Sequence, residues 1–203
     1  MTRATFDRSL LWLAALFFSV GVAIVYSCDA GAQGTGAAYL YAVSDTQSGY
    51  RPGVGLRFDI ASTGKLAAVA RIEASNAPKR DAESGYTYSA SAGVRLGERF
   101  YAEPGAIVYG YSSQFSNGAI WTKRSQSWYA ALGYRGENLA IAARYVPPTK
   151  DAYDSDTLSI ESVFHAGRVS WFLSPSIFRL TYPSDGRRET HSAISGGIGV
   201  RWW

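Results

Sequence analysis

The chain has 203 residues but only one cysteine, Cys28, and only two histidines, His165 and His191. It contains no block of five or more like charges, which argues against a nucleic-acid-binding arm. Its mean hydropathy is −0.09 although 47% of its residues are hydrophobic, whereas a bundle of membrane helices would be far more apolar. No phosphate loop, nucleotide fingerprint or metal-ligand spacing occurs, so neither a cofactor nor a metal is expected. After residue 33 no segment carries the 3.6-residue period of an amphipathic helix.

What the chain does have is aromatic side chains (14%), fourteen of them tyrosines, and 21 glycines. Both proportions are high for a globular chain, and tyrosine suits surfaces that are half apolar and half wet. The amino end has the pattern of an export signal. Arg3 and Arg8 precede the apolar run Leu10–Val25, and Ala30-Gly31-Ala32 fits the small-x-small cleavage pattern. The expected cut follows Ala32, giving a leader over 1–32 and a mature domain over 33–203. A retained anchor is the competing reading, because 16 apolar residues are long for a signal core but short for a span. Val25-Tyr26-Ser27-Cys28 loosely fits a lipobox, with Tyr26 as the poor match. With Cys28 removed, the mature chain has no thiol, which excludes disulfides, cysteine nucleophiles and thiolate metal sites.

The mature chain repeats with period two, as strands do. In "VGLRFDIA", Val54, Leu56, Phe58 and Ile60 alternate with Gly55, Arg57, Asp59 and Ala61. "YTYSASAGVRL" (86–96), "SWYAALGYR" (127–135) and "LAIAARY" (139–145) follow the same rule. The pattern predicts ten strands near 36–44, 53–61, 65–75, 85–96, 99–112, 126–135, 138–147, 156–166, 168–182 and 191–203. The connections between them alternate in length. Long ones fall at 45–52, 76–84, 113–125, 148–155 and 183–190; short ones fall at 62–64, 97–98, 136–137 and near 167. Sorting by parity is the mark of an all-β, antiparallel, up-and-down outer-membrane barrel, with short turns facing the periplasm. Strands of 9–13 residues also suit tilted crossings of a bilayer, which need about 9–11.

The end of the chain, "SGGIGVRWW", fits the same picture. Ile198, Val200 and Trp202 share an apolar face and, with Trp203, resemble the carboxyl-terminal signal that marks bacterial outer-membrane proteins for insertion. That signal ends on its aromatic residue; here the matching one is Trp202, with Trp203 one beyond it.

In such a barrel the outer face is apolar and the charges line the interior. The expected lumen-lining residues are Arg57, Asp59, Arg71, Glu73, Arg95, Glu103, Arg135, Arg144, Glu161 and Arg201, six positive and four negative. Arg179 breaks the alternation of strand 168–182, and a bulge at Pro175 would return it to the lumen. The charges read either as a paired network that stiffens a narrow barrel or as the wall of a weakly anion-selecting pore.

No catalytic residue is expected. His165 lies at the end of a strand beside a short turn and reads as a wetted turn residue. His191 forms a pair with Glu189, and Asp154 and Asp156 lie on the preceding long loop. The omptins, ten-stranded outer-membrane proteases, carry an Asp pair and an Asp-His pair on outer loops. The resemblance is partial, because the second pair here starts with Glu and the loops are too short for a deep cleft. Ser192 adjoins His191, as an esterase of the lipid A deacylase kind would require in space. Neighbours on a strand, however, point to opposite faces.

Three stretches together resemble the TorF family of Gram-negative barrels named as porins: residues 44–76, 88–114 and 125–162. An arginine-glycine segment expected before "SDTQS" is absent. The resemblance implies an outer-membrane barrel and a porin role, with no catalytic residues to carry over. The expected protein is a monomer in contact with outer-membrane lipids, the barrel-assembly machinery and small ions or solutes, and not with nucleic acid. An adhesin would need exposed aromatic loops, for which Phe115, Ile120 and Trp121 are the only candidates.

Overall fold

Alternating apolar and polar residues give each strand one apolar and one polar face, which in water would be buried against a second sheet. In lipid, the same pattern closes on itself, because every backbone amide must find a partner within the protein. The computed structural model describes residues 35–46, 53–62, 64–76, 84–148, 154–181 and 186–202. The expected leader, Cys28 and Trp203 lie outside them. The described residues form a closed barrel of ten antiparallel strands. They are β1 (Thr35–Asp45), β2 (Gly53–Ala61), β3 (Leu66–Ser75), β4 (Ser84–Leu96), β5 (Phe100–Gln114), β6 (Ile120–Arg135), β7 (Leu139–Val146), β8 (Asp154–Ala166), β9 (Val169–Thr181) and β10 (Arg188–Trp202). Each strand pairs with its sequence neighbour, and β1 closes on β10 from Gly36↔Trp202 to Asp45↔Ala193.

Following the Cα partners once around the sheet shifts the register by about twelve residues. For ten strands at the usual spacing this sets a tilt of roughly 40° and a Cα radius of about 10 Å. The interior is therefore only one or two side chains across. The outer face is apolar, with Leu40, Leu56, Leu132, Leu158, Ile177 and Ile198 all exposed. Aromatic residues mark its two edges. Near the short turns Phe100 packs on Tyr134 at 5.2 Å and Phe164 on Trp171 at 5.7 Å, with Trp202 beside Gly36. Towards the long loops Trp128 packs on Tyr145 at 6.4 Å, with Tyr86 also exposed. Along β4 the belt from Tyr86 to Leu96 spans roughly 25 Å of membrane depth, the height of the apolar band of outer-membrane barrels. This exterior makes the protein an outer-membrane β-barrel.

Two expectations are corrected. The loop placed at 113–125 contracts to 115–119, where Gly118 takes a positive φ of 79°. Ser112 and Thr122 share a 3.1 Å hydroxyl bond across the extended β5–β6 hairpin. The outward residues Thr122, Arg124 and Gln126 are polar because the hairpin has left the apolar belt. The second correction concerns β9, which has no bulge at Pro175. Its partners run Ile194↔Pro175 and Ser192↔Ile177 on one side, and Ser159↔Ser176 and Ser162↔Leu173 on the other. Arg179 therefore stays on the outer face, one pleat beyond Ile177, where it forms an ion pair with Asp156. An outward charge is tolerated there because it sits past the hydrocarbon edge.

Inside, glycines make room for tyrosines. By register Tyr41 lies between Gly55 and Gly197, Tyr39 opposite Gly199, Tyr101 opposite Gly133 and Tyr129 opposite Gly105. With no Cβ on the facing residue, each ring can lie flat on the neighbouring strand. A Cβ added at Gly105 would sit 2.5 Å from both the Ala92 carbonyl oxygen and Tyr129 Cζ. Gly105→Val is expected to destabilise the barrel by about 1–3 kcal/mol through overpacking. The check is the urea unfolding midpoint of the refolded protein; an unchanged midpoint would contradict this packing.

Candidate functional site: the barrel interior

The inward positions mix bulky and small groups: Tyr39, Tyr41, Tyr101, Tyr129 and Phe172 stand among Ser89, Ser91, Gly93, Gly105 and Ala131. Tyr39 and Tyr41 meet Phe172 edge to face at 5.1 and 5.8 Å. The Arg57 guanidinium lies 4.4 Å over the Phe172 ring and 5.5 Å from that of Tyr39.

Four charges bridge the barrel at this level. Arg57, only 2% exposed, donates through Nη2 to Asp59 at 2.6 Å and through Nη1 to Glu161 at 2.5 Å. Arg71 donates through Nε to Asp59 at 2.9 Å and through Nη2 to Glu161 at 2.8 Å. Asp59 and Arg57 are on β2, Arg71 is on β3, and Glu161 is on β8, which lies opposite β3 in the ring. Positive and negative groups alternate, so each charge is surrounded by its opposite. That arrangement allows charges to sit in a low-dielectric interior, where a lone ion would cost several kcal/mol.

Toward the short turns the packing opens into a cavity of about 130 Å³. Asp59, Arg71, Arg95, Glu103, Arg135, Arg144, Glu161 and Arg201 all line it. Arg95 donates to Glu103 at 2.8 Å and lies 4.4 Å over Tyr101. The Tyr129 hydroxyl donates to the other Glu103 oxygen at 3.0 Å. The Arg144 guanidinium stacks 3.8 Å over Tyr129, but its Nε and Nη2 are buried without a hydrogen-bond partner. Arg135 has Arg95 and Arg201 as its charged neighbours. Glu73, near Arg71 and Arg144, accepts from Ser89 at 2.9 Å.

Sequence reasoning missed His165 as an interior group. It belongs to β8 rather than to the turn, is half-buried, and lines the cavity, with Nδ1 2.7 Å from Ser170 Oγ. Its odd position in β8, in step with Glu161 and Val163, was the available signal. At the other end His191 stacks on Phe178 at 5.4 Å and lies 3.2 Å from Glu189 and 3.3 Å from Thr46. Asp156 faces outward to Arg179 while Glu189 and His191 face inward, so these groups do not converge on one cleft. Ser192 and His191 likewise take opposite faces of β10. Ile198, Val200 and Trp202 point outward from that strand, exposed to the membrane.

No family model matches the chain, and no curated protein matches it. Among solved structures it is similar to neisserial surface protein A, at 11% identity and TM-score 0.42, covering 84% of this chain and 97% of that one. It is similar to the Escherichia coli outer-membrane protease OmpT, at 8% identity and TM-score 0.48, covering 86% and 97%. It is also similar to the translocator domain of the Neisseria meningitidis autotransporter NalP, at 12% identity and TM-score 0.42, covering 97% and 98%.

The bridge yields a direct test. Arg57→Gln removes the cation shared by two buried carboxylates and is expected to cost roughly 3–5 kcal/mol. Arg57→Gln combined with Glu161→Gln should recover part of that loss, because one orphaned charge is gone. Equilibrium unfolding of the two variants checks this; a single variant as stable as the parent would contradict the bridge.

Proposed function

We propose that this outer-membrane barrel is a small channel with a narrow charged lumen that weakly prefers anions. It would act as a monomer, without catalysis or a cofactor. The observation that carries the proposal is the cavity at the short-turn end, where arginines outnumber carboxylates. Arginine cannot shed its proton in a protein, so the excess charge is permanent, and rings of arginine favour anions in pores. A thin water path would run through that cavity. The resemblance to TorF-family porins, carried by residues 44–76, 88–114 and 125–162, supports the same role.

A second reading is favoured by one specific observation. The bridge of Arg57, Arg71, Asp59 and Glu161 spans the lumen, and in a non-conducting structural barrel it would be a permanent plug. An adhesin role would use the β5–β6 hairpin, where Ile120 is 69% exposed.

Planar-bilayer recording of the refolded chain separates these. The channel reading expects small, salt-dependent conductance with a reversal potential displaced toward anions. Replacing Arg95, Arg135 and Arg201 together with Gln should reduce or reverse that displacement. A silent wild-type barrel would leave the structural reading, and a cation preference would refute the selectivity.

A further inference from the structure

On the outer face, toward the long loops, β8, β9 and β10 leave a groove of about 350 Å³. Leu158, Ile160, Ile177 and Ile194 stand around the shorter Pro175 and Ser192. The register carries this surface out of the membrane. At the groove's rim Leu158 is opposite Ile177, and Ile177 is opposite Ser192. One pleat further out, on the same face, Asp156, Arg179 and Thr190 stand in the same order. Beyond them Arg188 is opposite Thr181, and Asp154 holds the register position on the other side of Thr181.

The groove opens on a lipid-facing surface, so an acyl chain is what fills it. The groups above it suit a phosphate. Arg179 keeps 61% of its side chain exposed although it is ion-paired, whereas Asp156 is 14% exposed, so the accessible member of the pair is the cation. Asp156 accepts from Nε and Nη2, which fixes the plane of the guanidinium and leaves Nη1 for a ligand. Arg188, also exposed, stands diagonal to Arg179 across the β9–β10 pair, within reach of a long side chain. Both arginines are charged neighbours of Asp156. Tyr145, opposite Leu158, is a neighbour of Arg179 and part of the aromatic edge formed with Trp128. Aromatic edges lie at the level of lipid headgroups, which puts Arg179 beside the phosphate and the groove beside the chain below it.

We propose that this face is a docking site for one membrane lipid whose phosphate carries no cationic group, with the phosphate on Arg179 and Arg188 and an acyl chain in the groove beside Pro175. A guanidinium fork matches phosphate oxygens with paired hydrogen bonds. The groove adds apolar contact that a free phosphate would lack. The site lies on the outside of the wall, so it stands or falls independently of conductance through the lumen.

The test is native mass spectrometry of the refolded full barrel, released from a nonionic detergent, with dioleoyl phosphatidic acid. One saturable lipid is expected. Dioleoylglycerol, which has the same chains and no phosphate, should bind at least about tenfold more weakly, and excess inorganic phosphate should not displace the phosphatidic acid. Arg179→Gln with Arg188→Gln should weaken binding by a similar factor, and Ser192→Trp, which fills the groove, should weaken it as well. Arg124→Gln, an outward arginine of β6 away from the groove, should leave it unchanged. Equal binding of the two lipids would overturn the proposal, as would undiminished binding in the double variant or in Ser192→Trp. Displacement by inorganic phosphate would overturn the lipid assignment in favour of a free anion. An equal loss in Arg124→Gln would reduce the effect to a general attraction between basic surface and anionic lipid, and would overturn the site. If the double variant does not assemble, the two lipids and the phosphate competition on the parent protein decide.

Discussion

In a hydrocarbon layer an unpaired backbone amide costs several kcal/mol, so a sheet must have no edge. The pairing of β1 with β10, from Gly36↔Trp202 to Asp45↔Ala193, is the contact on which everything else depends. Once the ring is closed, each strand has an inside and an outside, and side-chain alternation assigns every residue to one of them. The apolar belt, the aromatic edges and the charged interior all follow from that closure. Glycines opposite tyrosines let the interior aromatic rings lie on the wall instead of competing for the axis.

The interior then solves a second problem. A Cα radius of about 10 Å leaves a space too wide to stay dry with small residues and too narrow for an open pore. The chain fills it with aromatic rings and paired charges. Tyr39, Tyr41 and Phe172 crowd one wall, and the bridge of Arg57, Asp59, Arg71 and Glu161 crosses to the opposite side. Below the bridge the packing loosens and the charges no longer balance. That imbalance has no stabilising role of its own, since like-charged guanidinium groups repel. It is the feature of the interior on which the channel proposal rests.

Much of the fold was legible because period two survives in every strand that crosses the belt. Ten strands, the alternation of short and long connections and closure into a barrel all follow from it. The signal faded where the physical constraint did. Beyond the membrane the outward residues of β6 need not be apolar, so Thr122 and Arg124 resembled a loop although they form a hairpin with β5. For the same reason Arg179 resembled an error of register. It needed no bulge, since Asp156 meets it outside the hydrocarbon. His165 was misjudged from its nearness to a turn, whereas its parity with Glu161 placed it inward. The pairing inside the barrel was not legible at all. Which carboxylate serves which arginine depends on strand tilt and on contacts across the ring, such as β3 to β8, that no local pattern encodes.

Closure and alternation together are tested most directly by a spin-label accessibility scan along β4 in lipid vesicles, one label at a time from Thr87 to Arg95. The account predicts a period of two. Labels at Tyr88, Ala90, Ala92 and Val94 should be relaxed by oxygen dissolved in the bilayer. Labels at Thr87, Ser89, Ser91 and Arg95 should be shielded from it. Equal oxygen access on both sets of positions, or access to the Ser89 and Ser91 face instead, would contradict the closed barrel with its charges turned inward.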